Sequence, residues 1–379
     1  MSSFSDRLLG RVRLGGLLAV AAPLLAIVFA GLVTSLILAL TGNPPLETMK
    51  LLADYGAQSR TIVMIINLAT TYYISALAVA IGFRMNLFNI GVDGQYRLAA
   101  LIAAAVGGAL VLPAPLHVGV TILVAVAVGG IWASIAGLLK VTRGVSEVIS
   151  TIMLNAIATG VGAWLLTTDR LAVAVSGSNN IGTKPIPPSG QFPGFSLIPG
   201  TQAQVFGFVV IAALLGIGYH VLFNRTRFGF DLRATGKSES AAIASGVNVK
   251  KMVLLTMIIS GAVAGLVGMP QLLGASYSYS LDFPPGLGFT GIAIALLGRN
   301  NPVGIAIGAL LWSFLDNSSD ILDLEGIPKE IVIIMQGTIV LSVIVAYELV
   351  HRYRLAAEQR RVSRELSTNA PAPLEGAAA

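Results

Sequence analysis

The stretch Phe83-Arg84-Met85-Asn86-Leu87-Phe88-Asn89-Ile90-Gly91-Val92-Asp93-Gly94-Gln95 gathers amides, an acid and two glycines between long apolar runs. Gly91 and Gly94 let the backbone break, and Asp93 and Gln95 then fall in the first turn of a new helix. A carboxylate there gains from the helix dipole and accepts from free backbone N–H groups. Two chemistries fit: capping alone, or a polar pathway lined or gated by Asn86, Asn89, Asp93 and Gln95, since acids and amides at membrane depth must face a cavity or each other. Asn67, Thr71 and Tyr72 form a second polar patch, with Thr70 and Tyr73, inside an apolar run. Asn155 and Thr159 are four apart and share a helix face. Tyr277 and Tyr279 alternate with serines before Pro284-Pro285-Gly286 and offer ring faces and hydroxyls. The structural alternatives are interhelical hydrogen bonds worth about 0.6–2 kcal/mol and interfacial anchoring of the tyrosines. Neutral donors and acceptors of this kind suit an uncharged, ring-bearing solute. Arg97 reads as lying near the inner mouth of its span, which leaves no cation inside the apolar runs to pair with an anion.

A second constellation is the polar island Asn224–Lys251. It carries Arg225, Arg227, Arg233, Lys237, Lys250 and Lys251 against Asp231 and Glu239. Its small residues Gly236, Ala241, Ala242 and Gly246 would permit close docking of another protein. Gly236-Lys237-Ser238 looks like the end of a phosphate-binding loop, but Asp231 stands where the required glycine belongs and no strand precedes it. The chain is therefore not expected to hydrolyse nucleotide. With no cysteines, and with His117, His220 and His351 far apart, no metal motif is expected. No cluster of acids, histidines and nucleophiles points to an enzyme, and no basic face with interleaved aromatics points to nucleic acid.

The elements that must hold these residues are membrane helices. The chain is 55% hydrophobic and 11% charged, against about 25% charged for a soluble domain, and its mean hydropathy is +0.81. The pattern predicts an all-α polytopic membrane protein with about ten transmembrane helices, some short or broken. The apolar segments run 15–40, 62–83, 91–112, 117–139, 147–167, 204–223, 252–273, 287–298, 302–320 and 330–348; 287–298 is too short to cross alone. All Lys and Arg but Lys50, Arg60, Arg170, Lys184 and Lys329 fall on one side of this alternation, which places both termini in the cytoplasm. The expected organisation is a cytoplasmic N-terminus (1–14), a transmembrane domain (15–350) and a basic tail (351–379) that begins helical and becomes disordered over about its last dozen residues. Within the domain, 169–202 is an extracytoplasmic loop rich in Pro, Gly and Ser, with turns and a short interfacial helix, and 224–251 is a cytoplasmic loop. Gly261-x-x-x-Gly265 and Gly304-x-x-x-Gly308 are close-packing signals. A Gly- and Asn-bearing break precedes an Ala/Gly-rich helix both at Phe88–Ala105 and at Gly298–Leu311, and paired breaks of this kind often flank a transport pathway.

Three segments, Phe88–Gln95, Arg227–Gly236 and Phe289–Pro302, resemble in order and spacing the permease subunits of ATP-binding-cassette importers. The likeness is to the nucleoside and simple-sugar branch of the ribose-type and branched-chain amino-acid permease group, over about Ile62–Tyr347. The family often has Glu where this chain has Asp93, which keeps the charge and shortens its reach. Ala241-Ala242-x-x-x-Gly246 is similar to the core of the family's coupling motif, with Glu239 one place earlier than the usual acid. The resemblance implies a pore-forming subunit in the bacterial inner membrane, moving nucleosides or related simple sugars, with another sugar or a riboflavin-like heterocycle as alternatives. It implies two cytoplasmic ATPase subunits docked at Gly236, Glu239, Ala241, Ala242 and Gly246, a second permease subunit that is either a different chain or a second copy of this one, and an extracytoplasmic solute-binding protein. No cofactor is implied beyond ATP bound by the partners. A proton-coupled secondary transporter, with Asp93 and Asp316 as relays, is the rival class.

Overall fold

A computed structural model describes residues 28–174 and 180–368. The N-terminal segment 1–14, the first part of the run that starts at residue 15, and the tail expected to be disordered lie outside the described residues. The helices are α1 (Val28–Leu40), α2 (Pro45–Gly56), α3 (Ser59–Phe83), α4 (Val92–Ala109), α5 (Ala114–Arg143), α6 (Glu147–Leu165), α7 (Phe208–Arg225), α8 (Arg227–Lys237), α9 (Glu239–Ala244), α10 (Val249–Ala264), α11 (Met269–Gln271), α12 (Leu287–Leu297), α13 (Pro302–Leu324) and α14 (Glu330–Thr368). Helices α10 and α11 and a π turn at Leu272–Ser276 run on as one span, Val249–Ser276. Among the described residues six helices are long and apolar enough to cross a membrane, and seven if α1 and α2 form one broken span. The protein is an all-α polytopic membrane protein.

The segments 91–112, 287–298 and 302–320 become α4, α12 and α13, which are not among those six. The reasons are local. Helix α12 has 11 residues, about 16 Å of rise; α4 carries Asp93, Gln95 and Arg97 in its first two turns, and α13 turns polar at Asp316-Asn317-Ser318-Ser319. The loop after α6 also departs from expectation. It forms two short antiparallel ribbons, β1 (Ala172–Ala174) with β2 (Ile181–Thr183) and β3 (Gly194–Phe195) with β4 (Val205–Phe206), plus one 3₁₀ turn at Pro188–Gly190.

The chain divides into two units, Thr48–Lys329 and the pair of terminal segments Met1–Glu47 and Glu330–Ala379. In the terminal unit, α14 stays helical for 39 residues through its basic stretch, as the sequence predicts for the start of the tail. In the central unit α3 is the axis, packed by α12, α13, α10 and α7. Helices α5 and α10 make the closest pairing, and its cause is the small-residue motif. A Cβ on Gly129 would sit 2.8 Å from the Gly265 Cα, and one on Gly265 would sit 2.8 Å from the Ala125 carbonyl carbon. Gly304 is likewise pressed against Gly298.

The connections sort into two ends. At one, Asn86 Nδ2 donates to the Gly236 carbonyl (2.6 Å), the Phe88 N–H to Glu147 (3.4 Å) and Arg84 to the Asn300 carbonyl (2.9 Å). At the other, His117 lies between the Gly107 carbonyl (2.8 Å) and Ser189 Oγ (3.0 Å). A carbonyl only accepts, so Nε2–H donates to Gly107 and Nδ1 accepts from the serine. The two Gly/Asn breaks therefore lie together. Both use left-handed backbone, at Asn86 (φ 55°), Arg299 (φ 54°) and Asn300 (φ 54°), and Tyr219 also donates to the Asn300 carbonyl at 2.9 Å.

Candidate functional site

The site is built where two helices begin inside the bundle. Helix α4 starts well within the end of α3. Asn89 donates to Ser260 Oγ (2.8 Å), and Ser260 donates to the Ala78 carbonyl (2.6 Å), five residues before α3 ends. Helix α12 starts at similar depth, because Ser75 Oγ donates to the Leu287 carbonyl at 2.7 Å, about 12 Å from the end of α3. The non-helical segment Tyr277–Gly286 descends to meet it. Such backbone is tolerated at membrane depth only where protein buries it or a wet cavity faces it.

Asp93 joins the two helix starts. It lies in the first turn of α4, yet its Oδ1 accepts from the Gly288 N–H (3.4 Å) in the first turn of α12. One carboxylate thus faces the positive ends of two helix dipoles. Both glycines here are required by contact: a Cβ on Gly288 would meet the Asp93 nitrogen at 2.5 Å, and one on Gly94 would meet the Asn155 Cα at 2.9 Å. Asn89 and Gln95 exchange paired amide hydrogen bonds (3.0 and 2.9 Å), and the Asn89 Oδ1 also takes the Gly91 N–H. Asn155 accepts from Gly94 N–H (2.8 Å) and donates to the Ile90 carbonyl (2.9 Å), holding α6 on the break. Tyr96 donates to the Pro284 carbonyl at 2.6 Å.

Asn89, Asp93, Gln95 and Asn155 therefore converge, with Tyr279 from the descending segment stacked on Phe283 at 4.7 Å. The other sequence candidates lie elsewhere. Asn67 clamps β4, donating to the Gln204 carbonyl (3.0 Å) and accepting from Phe206 N–H (2.7 Å). Thr71 and Tyr72 are buried, and Tyr72 donates to Asp316 on α13 at 2.5 Å. Asn86 belongs to the α8 end, and Tyr277, at φ 52°, shapes the π turn. A cavity of about 560 Å³ between α3, α7 and α13 is walled mainly by apolar side chains such as Ile66, Val209 and Leu310, with Thr70, Tyr73 and His220 at its polar points, and contains none of the converging amides.

Four contributors escape a reading of the sequence alone. Ser75 carries no local signal, and Ser260 and Gly288 carry none beyond their adjacency to a packing glycine and a break. Arg97 does carry one, since it stands four residues after Asp93 on the same helix face.

The island folds as α8 and α9, each with a side-chain cap: Thr226 accepts from Gly229 N–H (3.1 Å) and Ser238 from Ala241 N–H (3.3 Å). Gly236 and Ala242 face inward. A Cβ on Gly236 would meet the Met85 backbone at 2.8 Å, and Ala242 is buried. Gly246 (φ 81°) terminates α9, with Val247 N–H returning to the Ala242 carbonyl at 3.0 Å, the closure that favours glycine at a helix end. The outward face includes Glu239, Ala241, Ile243 and Gly246, together with Ser240, Ala244 and Ser245, beside a cleft of about 440 Å³ that Phe230 and Ala241 help line.

Lys140 and Glu147 form a 2.6 Å ion pair across the α5–α6 turn, and Glu147 also holds the Phe88 N–H. Lys140→Met would leave that carboxylate largely buried and unpaired. The expected loss is about 2 kcal/mol, below the 3–5 of a fully buried pair because Lys140 keeps some exposure. Thermal unfolding in detergent should show the double variant Lys140→Met/Glu147→Leu recovering most of it; a double variant no better than the single would remove the pair from the account.

The family model described as branched-chain amino acid transport system / permease component matches residues 61–344. The chain is 36% identical over 282 residues to the guanosine ABC transporter permease protein NupP of Bacillus subtilis (strain 168), covering 74% of this chain and 80% of that one. It is 30% identical over 335 residues to the nucleoside ABC transporter permease protein NupB of Lactococcus lactis subsp. cremoris (strain MG1363), covering 86% and 90%. A third relative, the glucose ABC transporter permease protein TsgB13 of Haloferax volcanii, is 30% identical over 300 residues, 76% of each chain. No solved structure matches the chain. The family match runs from the first turn of α3 into the apolar part of α14 and takes in the whole site, and the chain belongs to the branched-chain amino acid transport system permease family.

Proposed function

We propose that this chain is the pore-forming permease subunit of an ATP-driven importer that carries nucleosides across the bacterial inner membrane. The observation that carries the reading is the likeness to guanosine and nucleoside permeases along most of both chains, joined to a mid-depth cluster of amides, hydroxyls and a tyrosine ring. In this reading the α8–α9 end and both termini are cytoplasmic, in keeping with the bias of basic residues, and the chain crosses about ten times, with α12 as a half-span. Two ATPase subunits dock on α8 and α9 and bind the ATP; the permease itself needs no cofactor. A second, different permease subunit completes the pore, and an external binding protein delivers solute. Asn89, Asp93, Gln95, Asn155 and Tyr279 border the pathway. Asn67, Thr71, Tyr72, Asn86 and Tyr277 support it from the helices, loop and elbow around it. A tight site is not expected, because affinity in the pore would slow release.

The test is uptake of labelled guanosine and adenosine by membrane vesicles carrying the complete system with ATP supplied. Unlabelled nucleosides should compete strongly, with leucine, free ribose, glucose and nucleotides competing little. Collapse of the proton gradient at constant ATP should leave initial rates unchanged. Competition by leucine or a free sugar without competition by nucleosides would sink the nucleoside assignment, and a rate that falls with the gradient would favour secondary transport.

A further inference from the structure

Arg97 stands about 8 Å along α4 from its first residue and about 18 Å short of its last, on a helix that itself begins inside the bundle. Its surroundings satisfy it only in part. Its Nε is buried without a partner, and Nη1 reaches only Thr159 Oγ1, at 3.3 Å. That hydroxyl accepts from Arg97 and passes its own proton to the Asn155 carbonyl at 3.1 Å, so it is held in place on α6. Asp93, one turn earlier, is turned toward α12 instead. Among the described residues Arg97 makes no ion pair. The guanidinium also lies beside the Tyr279 hydroxyl. Next to it the α6 surface is open and small, with Ala156, Thr159 and Gly160 exposed and nothing within 4 Å of a Cβ placed on Gly160. A cation at this depth does not face lipid; it faces a wet cavity or a partner.

We propose that Arg97 reads the solute as it crosses, and that it favours purine nucleosides bearing a 6-oxo group. This rests on the nucleoside reading above. A guanidinium presents its donors as a rigid planar fork. Guanine and hypoxanthine offer two adjacent acceptors, O6 and N7, that match such a fork, whereas adenine offers N7 beside an N6 amino donor that opposes it. Thr159 and Tyr279 hold the fork on either side, and the small α6 surface leaves room for a ring system over it. Asn155, with both ends of its amide bound to backbone, shapes the wall and is not itself a reader.

The experiment uses the complete transporter in proteoliposomes, with binding protein and ATP, at saturating labelled guanosine, inosine or adenosine, so that capture by the binding protein does not limit the rate. Arg97→Gln removes charge and fork; Arg97→Lys keeps the charge and removes only the fork. Each variant is purified through the ATPase subunits and checked for the second permease. The ratio of guanosine to adenosine rates, and of inosine to adenosine, is expected to fall about tenfold or more in both. A proportional fall for all three solutes, or no change, overturns the proposal. So does loss of the second permease from both preparations, which would make Arg97 the partner of a group on that subunit. Wild-type transporter that carries no nucleoside overturns the functional reading as well, and so separates the two failures.

Discussion

Gly265→Leu is expected to abolish accumulation of folded protein in the membrane. The α5–α10 contact is made by backbone on both sides: Gly129 faces Gly265, and Gly265 faces the Ala125 carbonyl carbon at 2.8 Å from where its Cβ would stand. Overpacking a core commonly costs about 1–3 kcal/mol because side chains yield. Here a main chain would have to move, so the two helices must separate, and with them goes the pairing that positions Ser260 against Asn89. The control is on the same helix pair: a Cβ placed on Gly119 of α5 would have nothing within 4 Å, and Gly119→Leu should accumulate normally. Monodisperse yield after detergent extraction reads both. Comparable yields for the two variants would mean that the close crossing is not what holds α5 and α10 together.

Ala241→Trp and Ile243→Asp are expected to reduce solute-stimulated ATP hydrolysis by the complete transporter to its unstimulated level, while the permease still inserts and extracts normally. Both side chains are exposed on α9, Ile243 at 63%, so neither change disturbs the elbow's own packing. An indole or a carboxylate there would disrupt a docked ATPase surface. Gly246 and Ala242 are poorer probes, since Gly246 is fixed by its left-handed backbone and Ala242 by burial. Transport at the wild-type rate by either α9 variant would show that energy enters elsewhere.

The type of each feature is legible in the sequence, and its partner generally is not. The glycine break before Asp93 and the GxxxG motifs are local patterns, and each becomes the element expected, while the basic island 224–251 folds as the two short helices α8 and α9. What Asp93 does depends on Gly288, 195 residues away, and local pattern leaves open whether it caps its own helix or lines a pathway. It caps the start of another helix. The same distance hides Asn67's grip on the Gln204–Phe206 backbone. Depth counted from the start of the apolar run puts Arg97 at the inner mouth, whereas α4 begins recessed behind the Asn89–Ser260–Ala78 chain of hydrogen bonds. In the island, small residues suggest an outer docking face; Gly236 is small because Met85 lies against it. Hydropathy resolves spans well and resolves poorly any backbone that stops halfway across.

The burial of α3 has a consequence for synthesis. Its Ile65 carbonyl receives Ser313, 248 residues later, and its Tyr72 hydroxyl binds Asp316, 244 residues later. At about 5–20 residues per second, the ribosome needs roughly 12–50 s to make those partners. Throughout that interval the helix is in the bilayer or the translocon without them. Thr70 is already satisfied by its own helix, through the Ile66 carbonyl at 2.8 Å. Tyr72 is not, and its hydroxyl must borrow water, lipid headgroups or another helix until the C-terminal third of the chain arrives, whereas Ser75 can turn back on its own helix as Thr70 does.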